Sequence, residues 1–331
     1  MEKILVTGAT GFVGAALVKQ LLGQGRAVRI TGRPDSDLRH VQGLPVETVQ
    51  ADIRDRASCA KAMEGCAQLY HVAGLYRSWM RDYDLLRQIN VEGTRNMLAA
   101  ALAAGVSKVV HTSSIAALGM PSDGSPADET VAFNLQHLRL PYEQSKYEAE
   151  LVVREYIQRG LAVVMVRPAM VMGPGDLYPT PSGKLVLDVL HRRVPCYFDG
   201  GIDIVDVDDV AAGHILAMEK AESGDIFNLG CQCNFTLMGD LFRLIARSGG
   251  VGAPFIKMPV PLTMAYARTL TFFADYITHR EPVATPANIR ILAIKRRVDF
   301  SKAVRVLGIP QTPLHEVVAR TVDWYKKEGY A

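Results

Sequence analysis

Short runs of apolar, mostly β-branched residues alternate with longer amphipathic stretches over the first half of the chain. The apolar runs predict strands at residues 4–6, 28–31, 46–49, 68–72, 108–111 and 163–166. Between them, stretches such as 15–23 and 90–104 have the apolar spacing of helices. Strands that are apolar on both faces and alternate with helices predict an α/β fold, a Rossmann-type doubly wound parallel sheet with helices on both sides.

The pattern changes near residue 168, beyond which proline and glycine interrupt the chain. A helical stretch at 207–220 and a strand-like run at 225–228 then predict one further strand that rejoins the sheet. We therefore predict a coenzyme-binding Rossmann domain and a smaller, mixed α/β substrate-binding domain. The first comprises residues 1–174 and about 203–230, and the second comprises about 175–202 and 231–331.

Length, composition and charge exclude several classes of protein. The 331 residues exceed the usual size of one compact core, and 49% of them are hydrophobic, which excludes a disordered chain. The 37 basic and 34 acidic residues are spread along the sequence and leave no electrostatic footprint for nucleic acid.

The cysteines and the apolar runs bear on the compartment. Five cysteines are too sparse for a disulfide framework and favour a reducing compartment. Cys231 and Cys233 lack the second ligand pair of a metal site, so no metal is expected. With no signal-peptide pattern and no apolar run of 18 residues, we expect a cytoplasmic protein without a membrane span.

A glycine-rich turn follows the first predicted strand directly and opens a helix. Its sequence, Thr-Gly-Ala-Thr-Gly-Phe-Val-Gly at 7–14, supplies glycine for a tight turn and for close approach of the backbone to a pyrophosphate. The helix N-terminus adds free N–H groups for the anion. This turn predicts a dinucleotide site formed by Gly8, Thr10, Gly11, Phe12, Val13 and Gly14.

The end of the second strand bears on the choice of coenzyme. NAD sites usually carry an acidic residue here to bind the ribose hydroxyl, whereas this chain has Gly32 and Arg33. A small residue and a guanidinium suit a 2′-phosphate, so we predict NADP(H), with NAD(H) as the alternative. Asp35 and Asp37 are read as solvated or capping residues. Further coenzyme contacts are expected at Asp52, Ile53, Ala73, Gly74, Thr112, Ser113, Pro168, Ala169 and Val171.

Tyr142 and Lys146 stand four residues apart at the start of a helical stretch and therefore share a face. A lysine beside a phenol lowers the pKa of the phenol, which makes the tyrosine a usable proton donor or acceptor. Residues 112–114, Thr-Ser-Ser, follow the fifth strand and offer a hydroxyl to a substrate oxygen. We therefore place Tyr142, Lys146 and this hydroxyl in one candidate active site.

These motifs, together with segment 204–210, resemble the extended short-chain dehydrogenases/reductases of the NAD-dependent epimerase/dehydratase superfamily. The chain resembles the dihydroflavonol-4-reductase-like branch and, through 178–184 and 322–330, more closely the bacterial hopanoid-associated sugar epimerases.

The resemblance implies a role for each of four site residues. Tyr142 would be the catalytic acid/base, Lys146 would hold the ribose and lower the pKa of the tyrosine, and Ser114 would bind the substrate oxygen. Ser114 is preferred to Ser113 because it stands five residues before a glycine, as in the family pattern. Asn90, at the start of the predicted helix 90–104, is a further catalytic candidate.

Two departures from the family pattern bear on the substrate. Asp206 replaces the usual histidine of its segment, and Met170 stands where many nucleotide-sugar enzymes have asparagine. Residues 171–173 also lack the aromatic residue common in those enzymes. These changes weaken a nucleotide-sugar function.

Four segments have open interpretations. The aromatic loop at 75–83 is either a substrate wall or an ordinary packed loop, and the apolar stretch at 258–273 is a core or dimer-facing helix or, alternatively, a substrate pocket. The basic runs 191–193 and 295–297 are solvated faces or, alternatively, grip a diphosphate.

The leading hypothesis is an NAD(P)H-dependent oxidoreductase that reduces a ketone or aldehyde of a small organic substrate by hydride transfer. Tyr142 would donate the proton and Ser114 would stabilise the developing alkoxide. The alternatives are a nucleotide-sugar epimerase or dehydratase with tightly bound NAD(P), and a catalytically silent coenzyme-binding protein. The resemblance also implies a homodimer through helices 90–104 and 143–156.

Overall fold

The computed structural model describes residues 2–77, 79–80 and 82–331. Its strands are β1 (Lys3–Thr7), β2 (Ala27–Gly32), β3 (Glu47–Gln50), β4 (Cys66–His71), β5 (Lys108–Thr112), β6 (Val163–Pro168), β7 (Met170–Met172), β8 (Cys196–Phe198), β9 (Gly201–Asp206), β10 (Ile226–Leu229), β11 (Phe235–Leu237) and β12 (Ile256–Met258). Its α-helices are α1 (Phe12–Gly23), α2 (Arg56–Met63), α3 (Asp84–Arg87), α4 (Gly93–Ala103), α5 (Pro141–Gln158), α6 (Pro181–Leu190), α7 (Val207–Lys220), α8 (Met238–Gly249), α9 (Val260–Phe273), α10 (Pro286–Ala293) and α11 (Leu314–Lys327).

The main sheet is parallel throughout and has the order β10–β6–β5–β4–β1–β2–β3. This confirms the predicted doubly wound α/β fold, in which the chain runs outward from β1 in one direction and then from β4 in the other. The strand expected near 225–228 is β10, which pairs with β6.

Two apolar clusters cover the two faces of this sheet, as its mostly apolar central strands require. Ile4 and Val6 point into one cluster, where α1 and α7 pack, and Leu5 points into the other, where α2, α4 and α5 pack. All three of these strand residues are fully buried. Because alternate side chains of β1 pack into the clusters on both faces of the sheet, the carboxyl end of this strand is held in place.

A third apolar cluster lies away from the main sheet, between α6, α8, α11 and the strand β9. β9 pairs with β7 and β11 in a small sheet, and β8 pairs with β12. This region uses residues from both sides of β10, but it also includes Met172 and Ile204, which the predicted division assigns to the coenzyme domain. The domain division stays a prediction.

The helix expected to open at Asn90 begins earlier. α3 starts at Asp84 and continues through a π-helical turn, Gln88–Glu92, into α4. Asn90 therefore lies inside a continuous helical segment, so its predicted position as the first helical residue is wrong. The apolar period alone did not reveal the start because the exposed side chains of the first turn, Asp84 and Arg87, are charged.

The apolar stretch 258–273 is not a core element. Thr263 and Ala267 are the buried residues of α9, whereas large apolar side chains such as Leu262 and Phe273 are exposed. The expectation that it faces a second copy of the chain stays a prediction. Among the described residues, no helix combines the length and apolar character needed to cross a membrane.

Candidate active site

A cavity of about 630 Å³ opens at the carboxyl ends of the parallel strands. Doubly wound sheets bind ligands at this edge, beside the point where the strand order reverses, which here lies between β1 and β4. Every residue predicted to contact the coenzyme lines it: Gly8, Thr10, Gly11, Phe12, Val13, Gly14, Arg33, Asp52, Ile53, Ala73, Gly74, Thr112, Ser113, Tyr142, Lys146, Pro168, Ala169 and Val171.

The glycine-rich turn between β1 and α1 has no room for larger residues. Gly8 has a φ of 72°, and a Cβ added there would lie 2.7 Å from the backbone nitrogen of Ala73. A Cβ on Gly14 would lie 2.2 Å from the carbonyl oxygen of Gly8. α1 begins after Gly11 without a side-chain cap, so N–H groups of its first turn remain available to an anion. The turn therefore fits the pyrophosphate of a dinucleotide.

Two arginines lie at the end of the cavity formed by β2 and β3. Arg33 is half-exposed and pairs with Asp35 at 3.1 Å. Arg54, which the sequence reasoning missed, pairs with Asp52 at 2.6 Å and also lines the cavity. Each guanidinium is thus held beside the cavity by an acidic residue two positions away. This end of the cavity therefore carries two guanidinium groups, each paired with a nearby carboxylate.

Helix α5 presents Tyr142 and Lys146 to the cavity one turn apart. A proline at its first position, Pro141, favours this helix start, because proline has no N–H to leave unsatisfied. The ammonium Nζ of Lys146 donates to the carbonyl oxygen of Thr112 at 2.9 Å. The phenol of Tyr142 lies beside the hydroxyl of Ser114, which follows β5. The structure therefore brings the predicted tyrosine, lysine and serine together.

Burial governs the protonation of this group. Burial raises the pKa of Tyr142 above its ordinary value, and the neighbouring Ser114 hydroxyl acts in the opposite direction. The lowering expected from Lys146 is not found, because burial, Ser114 and Glu143 are what shift this pKa. Burial also lowers the pKa of Lys146 to about 8, while the nearby Glu150 carboxylate acts to raise it. The lysine therefore titrates close to neutral pH.

Ser113 and Ser114 have different partners. The hydroxyl of Ser113 donates to Oε1 of Glu150 at 2.6 Å, and Arg167 binds both oxygens of that carboxylate at 2.7 and 2.6 Å. Both members of this ion pair are buried. Ser114 instead caps a short 3₁₀ turn and contacts Tyr142. The hydroxyl beside the phenol thus belongs to Ser114.

Asn90 lies behind the cavity wall and holds two of its segments. Its side chain forms a pair of hydrogen bonds with the backbone of Leu75, at 2.7 and 2.9 Å, and donates to Ser145 at 2.9 Å. Ser145 in turn donates to the carbonyl oxygen of Tyr142 at 2.7 Å. Asn90 therefore connects the loop after β4 to the start of α5, in the manner of a positioning residue.

The loop after β4 forms part of the cavity wall that faces the glycine-rich turn, which we call the opposite wall. Leu75 and Tyr76 line the cavity, and the ring of Tyr76 meets that of Tyr142 edge-on, with 4.5 Å between centroids. The hydroxyl of Tyr76 donates to Asn288 at 3.4 Å. These contacts favour the substrate-wall interpretation of the loop. Ser78 and Arg81, which belong to the same predicted loop, lie outside the described residues.

Three charged side chains complete this wall. Glu143 follows Tyr142 in α5 and lies near Arg296, and burial raises the pKa of its carboxyl group. Arg296 donates to the carbonyl oxygen of Ile115 at 2.8 Å, and burial lowers its pKa to about 10. Asp203 accepts from the backbone of Val298 at 3.1 Å, and burial raises its pKa to about 6.

The sequence reasoning missed most of this wall, whose members are distant in the chain. Residues of this wall that were not predicted include Glu143, Met170, Leu185, Ile202, Asp203, Asn288, Ile291 and Leu292, whereas Tyr76 belongs to the loop for which a substrate wall was one of two interpretations. Some signals were available, since Glu143 adjoins Tyr142 and Arg296 belongs to the basic run 295–297. Of the described residues in the two basic runs, Arg296 alone reaches the cavity. No residue of 258–273 lines it, so the pocket interpretation of that stretch is wrong.

Asp206, which replaces the family's usual histidine, has a structural role. It is fully buried, caps the N-terminus of α7 by accepting from Asp208, and pairs with Arg320 at 3.0 Å. The carboxylate thus links the small sheet to α11.

Comparisons with known proteins agree with this geometry. Residues 4–230 match the model of the NAD dependent epimerase/dehydratase family. The chain belongs to that family. Its similarity to named reductases and epimerases places it in the extended short-chain dehydrogenase/reductase superfamily.

Three related proteins illustrate the range of this family. A putative dihydroflavonol 4-reductase from Synechocystis is 39% identical, over 98% of this chain and 95% of its own length. Sterol demethylase protein B from Methylococcus capsulatus is 34% identical, over 98% of both chains. A nucleoside-diphosphate-sugar epimerase from Pseudomonas aeruginosa is 25% identical, with a TM-score of 0.81 and coverage of 99% of both chains. The family thus contains both reductases and epimerases.

Proposed function

We propose that this protein is an NADP(H)-dependent oxidoreductase that interconverts a carbonyl and a hydroxyl group on a largely apolar, ring-containing substrate. The observation that carries the proposal is the convergence of Tyr142, Ser114 and Lys146 on one cavity beside the glycine-rich turn. The phenol, the hydroxyl and the ammonium of these three residues form a proton-transfer group next to a dinucleotide site.

Each of the protein's site residues has a separate role in the proposed reaction. The nicotinamide, when bound, supplies the hydride to the carbonyl carbon or removes it from the alcohol. Tyr142 donates the proton to the substrate oxygen during reduction, and Ser114 hydrogen-bonds that oxygen as negative charge develops. Lys146 stays anchored to the carbonyl oxygen of Thr112 and, protonated below a pKa of about 8, stabilises the phenolate left on Tyr142. Asn90 holds the start of α5 in register through Ser145.

The preference for NADP(H) is supported by the cations at the end of β2 and β3. Arg33 and Arg54 both line the cavity there, and Gly32 leaves space beside them. A 2′-phosphate can replace the carboxylates of Asp35 and Asp52 as the partner of these guanidinium groups. An NAD site would instead use an acidic residue to bind two ribose hydroxyls.

The character of the opposite wall supports an apolar substrate. Leu75, Met170, Leu185, Ile202 and Ile291 line it. Arg296, the one arginine among the described residues of this wall, already uses two of its five N–H groups to bind backbone carbonyl oxygens. The dihydroflavonol and sterol in the names of two relatives are ring systems of this apolar kind.

A nucleotide-sugar epimerase is the second candidate, favoured by the similarity to the Pseudomonas epimerase. The same tyrosine and serine would serve, but the coenzyme would be regenerated in each turnover. The two candidates therefore differ in coenzyme stoichiometry.

The deciding experiment measures coenzyme absorbance during turnover. Purified protein with NADPH is offered polycyclic ketones and, separately, uridine diphosphate hexoses. The proposal expects oxidation of one NADPH for each ketone reduced, and slower oxidation of NADH. Interconversion of the nucleotide sugars without net change in nicotinamide absorbance would establish the epimerase instead. Binding of NADP(H) without turnover of either class would favour the catalytically silent protein.

A further inference from the structure

A patch of exposed apolar side chains covers the segment from residue 255 to 283. We call it the apolar patch, and its members are Phe255, Ile256, Leu262, Tyr266, Phe272, Phe273, Tyr276, Ile277 and Val283. These nine are most of the fifteen large exposed apolar residues in the described chain. Several are nearly free of contact, with 86% of Phe255 and 72% of Tyr276 exposed. Soluble proteins seldom leave such a cluster uncovered, so the patch requires a partner.

The spacing along α9 places three members of the patch on one side of the helix. Leu262, Tyr266 and Phe273 follow one another at intervals of four and seven residues, which places them on one helical face. The buried Thr263 and Ala267 have the same interval of four on the adjoining face. The helix thus rests on the protein by small residues and directs its large apolar side chains outward.

Free positive charge borders the patch. The two acidic side chains of residues 255–283 already have partners, since Asp275 accepts from Trp79 at 2.7 Å and Glu281 pairs with Lys184 at 2.7 Å. Arg268 and Arg280 are exposed and form no ion pair with any residue that the structure describes. Large apolar side chains beside unpaired cations match the chemistry of an anionic lipid surface.

The patch is also continuous with the cavity wall. Asn288, Ile291 and Leu292 of α10 line the cavity, and α10 begins a few residues after Val283. α9 packs against α10 on one side, and Trp79 of the loop after β4 reaches Asp275 on the other. A surface that docks on this side therefore contacts the elements that form the wall.

We propose that the apolar patch docks the protein on the surface of an anionic lipid bilayer, with α9 lying in the interface and no segment crossing it. The apolar face enters the boundary between headgroups and acyl chains, and Arg268 and Arg280 pair with lipid phosphates. The proposal is independent of the reaction performed in the cavity and stands even if the proposed substrate is wrong.

Vesicle co-sedimentation of the full-length protein tests this. Vesicles of phosphatidylcholine with about one third phosphatidylglycerol are compared with phosphatidylcholine alone, at low salt and at about 1 M salt. We expect binding to the anionic vesicles that weakens with salt. Wild-type protein that stays in the supernatant with anionic vesicles at low salt would overturn the proposal.

Two sets of variants locate the contact. Leu262→Ser/Phe273→Ser should reduce the partition coefficient about tenfold or more, whereas Leu151→Ser/Val306→Ser, which changes exposed apolar residues elsewhere, should leave it unchanged. Arg268→Gln/Arg280→Gln should lose most of the salt dependence. Equal binding by both apolar double variants would overturn the proposal.

Sedimentation velocity without lipid tests whether a second copy of the chain, and not a lipid surface, binds to the apolar patch. We expect Leu262→Ser/Phe273→Ser to have the same oligomeric state as wild type. A dimer that this variant alone dissociates would assign the patch to a second copy of the chain and overturn lipid docking.

Discussion

The two sides of the cavity are built in different ways. The coenzyme side comes from strand ends of one parallel sheet, and its tightest part, from Gly8 to Gly14, is a single short stretch of chain. The opposite wall comes from separate places along the chain, with Tyr76, Asp203 and Arg296 as examples. The coenzyme side thus depends on backbone geometry, and the wall depends on side chains that tertiary packing assembles.

This difference separates the effects of substitution on the two sides. A change in the backbone turn alters binding of any dinucleotide, because N–H groups and helix position do the binding. A change in the wall alters which substrate fits, while the coenzyme site remains. Four predictions test this contrast, in decreasing order of expected effect.

Replacing the proton donor should have the largest effect. Tyr142→Phe keeps the buried ring but removes the phenol, so we expect the turnover number to fall about 100- to 10,000-fold. Steady-state kinetics measures this, and coenzyme affinity should change little. Tyr147→Phe is the control, because its ring lies on the same helix and stacks on Phe133. Near-normal turnover by Tyr142→Phe would remove the phenol from the mechanism.

Filling the glycine turn should weaken coenzyme binding. The Cβ of Gly14→Ala would lie 2.2 Å from the carbonyl oxygen of Gly8, so the turn must shift. We expect the dissociation constant of NADPH to rise at least about tenfold, which corresponds to about 1.4 kcal/mol, as measured by fluorescence titration.

The control for this variant lies on the same helix. Gly23→Ala adds a Cβ with no atom within 4 Å, so coenzyme binding should be unchanged and stability should increase by about 0.5–1 kcal/mol. Equal effects of the two substitutions on coenzyme binding would contradict the backbone account of the coenzyme side.

The buried carboxyl group of Asp203 in the opposite wall should make the free energy of unfolding depend on pH. Burial raises the pKa of Asp203 to about 6 in the folded protein, above its value in the unfolded chain. Its contribution to the free energy of unfolding is therefore complete below the unfolded pKa and is lost as pH rises through 6. Asp203→Asn should match wild type near pH 4 and exceed it by about 1–3 kcal/mol at pH 7 in urea unfolding.

Asp199→Asn serves as its control. Asp199 is exposed, and the ammonium of Lys295 lowers the pKa of its carboxyl group, so the pH dependence should have the opposite sign and be small. If Asp203→Asn follows wild type at every pH, burial does not govern this carboxyl group.

Replacing Arg33 should have a moderate effect on the preference for NADPH over NADH. Arg33→Gln should raise the Michaelis constant for NADPH about tenfold and leave that for NADH nearly unchanged, because NADH has no 2′-phosphate. Arg56→Gln removes an exposed charge near the start of α2 and corrects for net charge. Equal changes for both coenzymes would remove Arg33 from 2′-phosphate recognition.

The sequence was informative where one short segment carries the whole signal. The apolar runs predicted the strands of the main sheet, and the glycine spacing predicted a turn whose geometry tolerates no Cβ at Gly8 or Gly14. The start of the helix around Asn90 was predicted wrongly, because its first turn has a mostly polar surface and a π-helical turn follows. The sequence left open whether α9 lies in the core or on the surface, because an apolar helix has the same composition in both places.

By itself, the sequence determined the parallel sheet, the turn at its first strand, and the tyrosine–lysine pair. These features follow from local spacing, since the period of a strand or helix and the conformational freedom of glycine act within a few residues. The tertiary structure supplied the physical reason for preferring Ser114 to Ser113, because the hydroxyl of Ser113 is bound to the buried Glu150 carboxylate, which Arg167 holds in place. It also decided the opposite wall and the apolar patch, since burial depends on which distant segments meet.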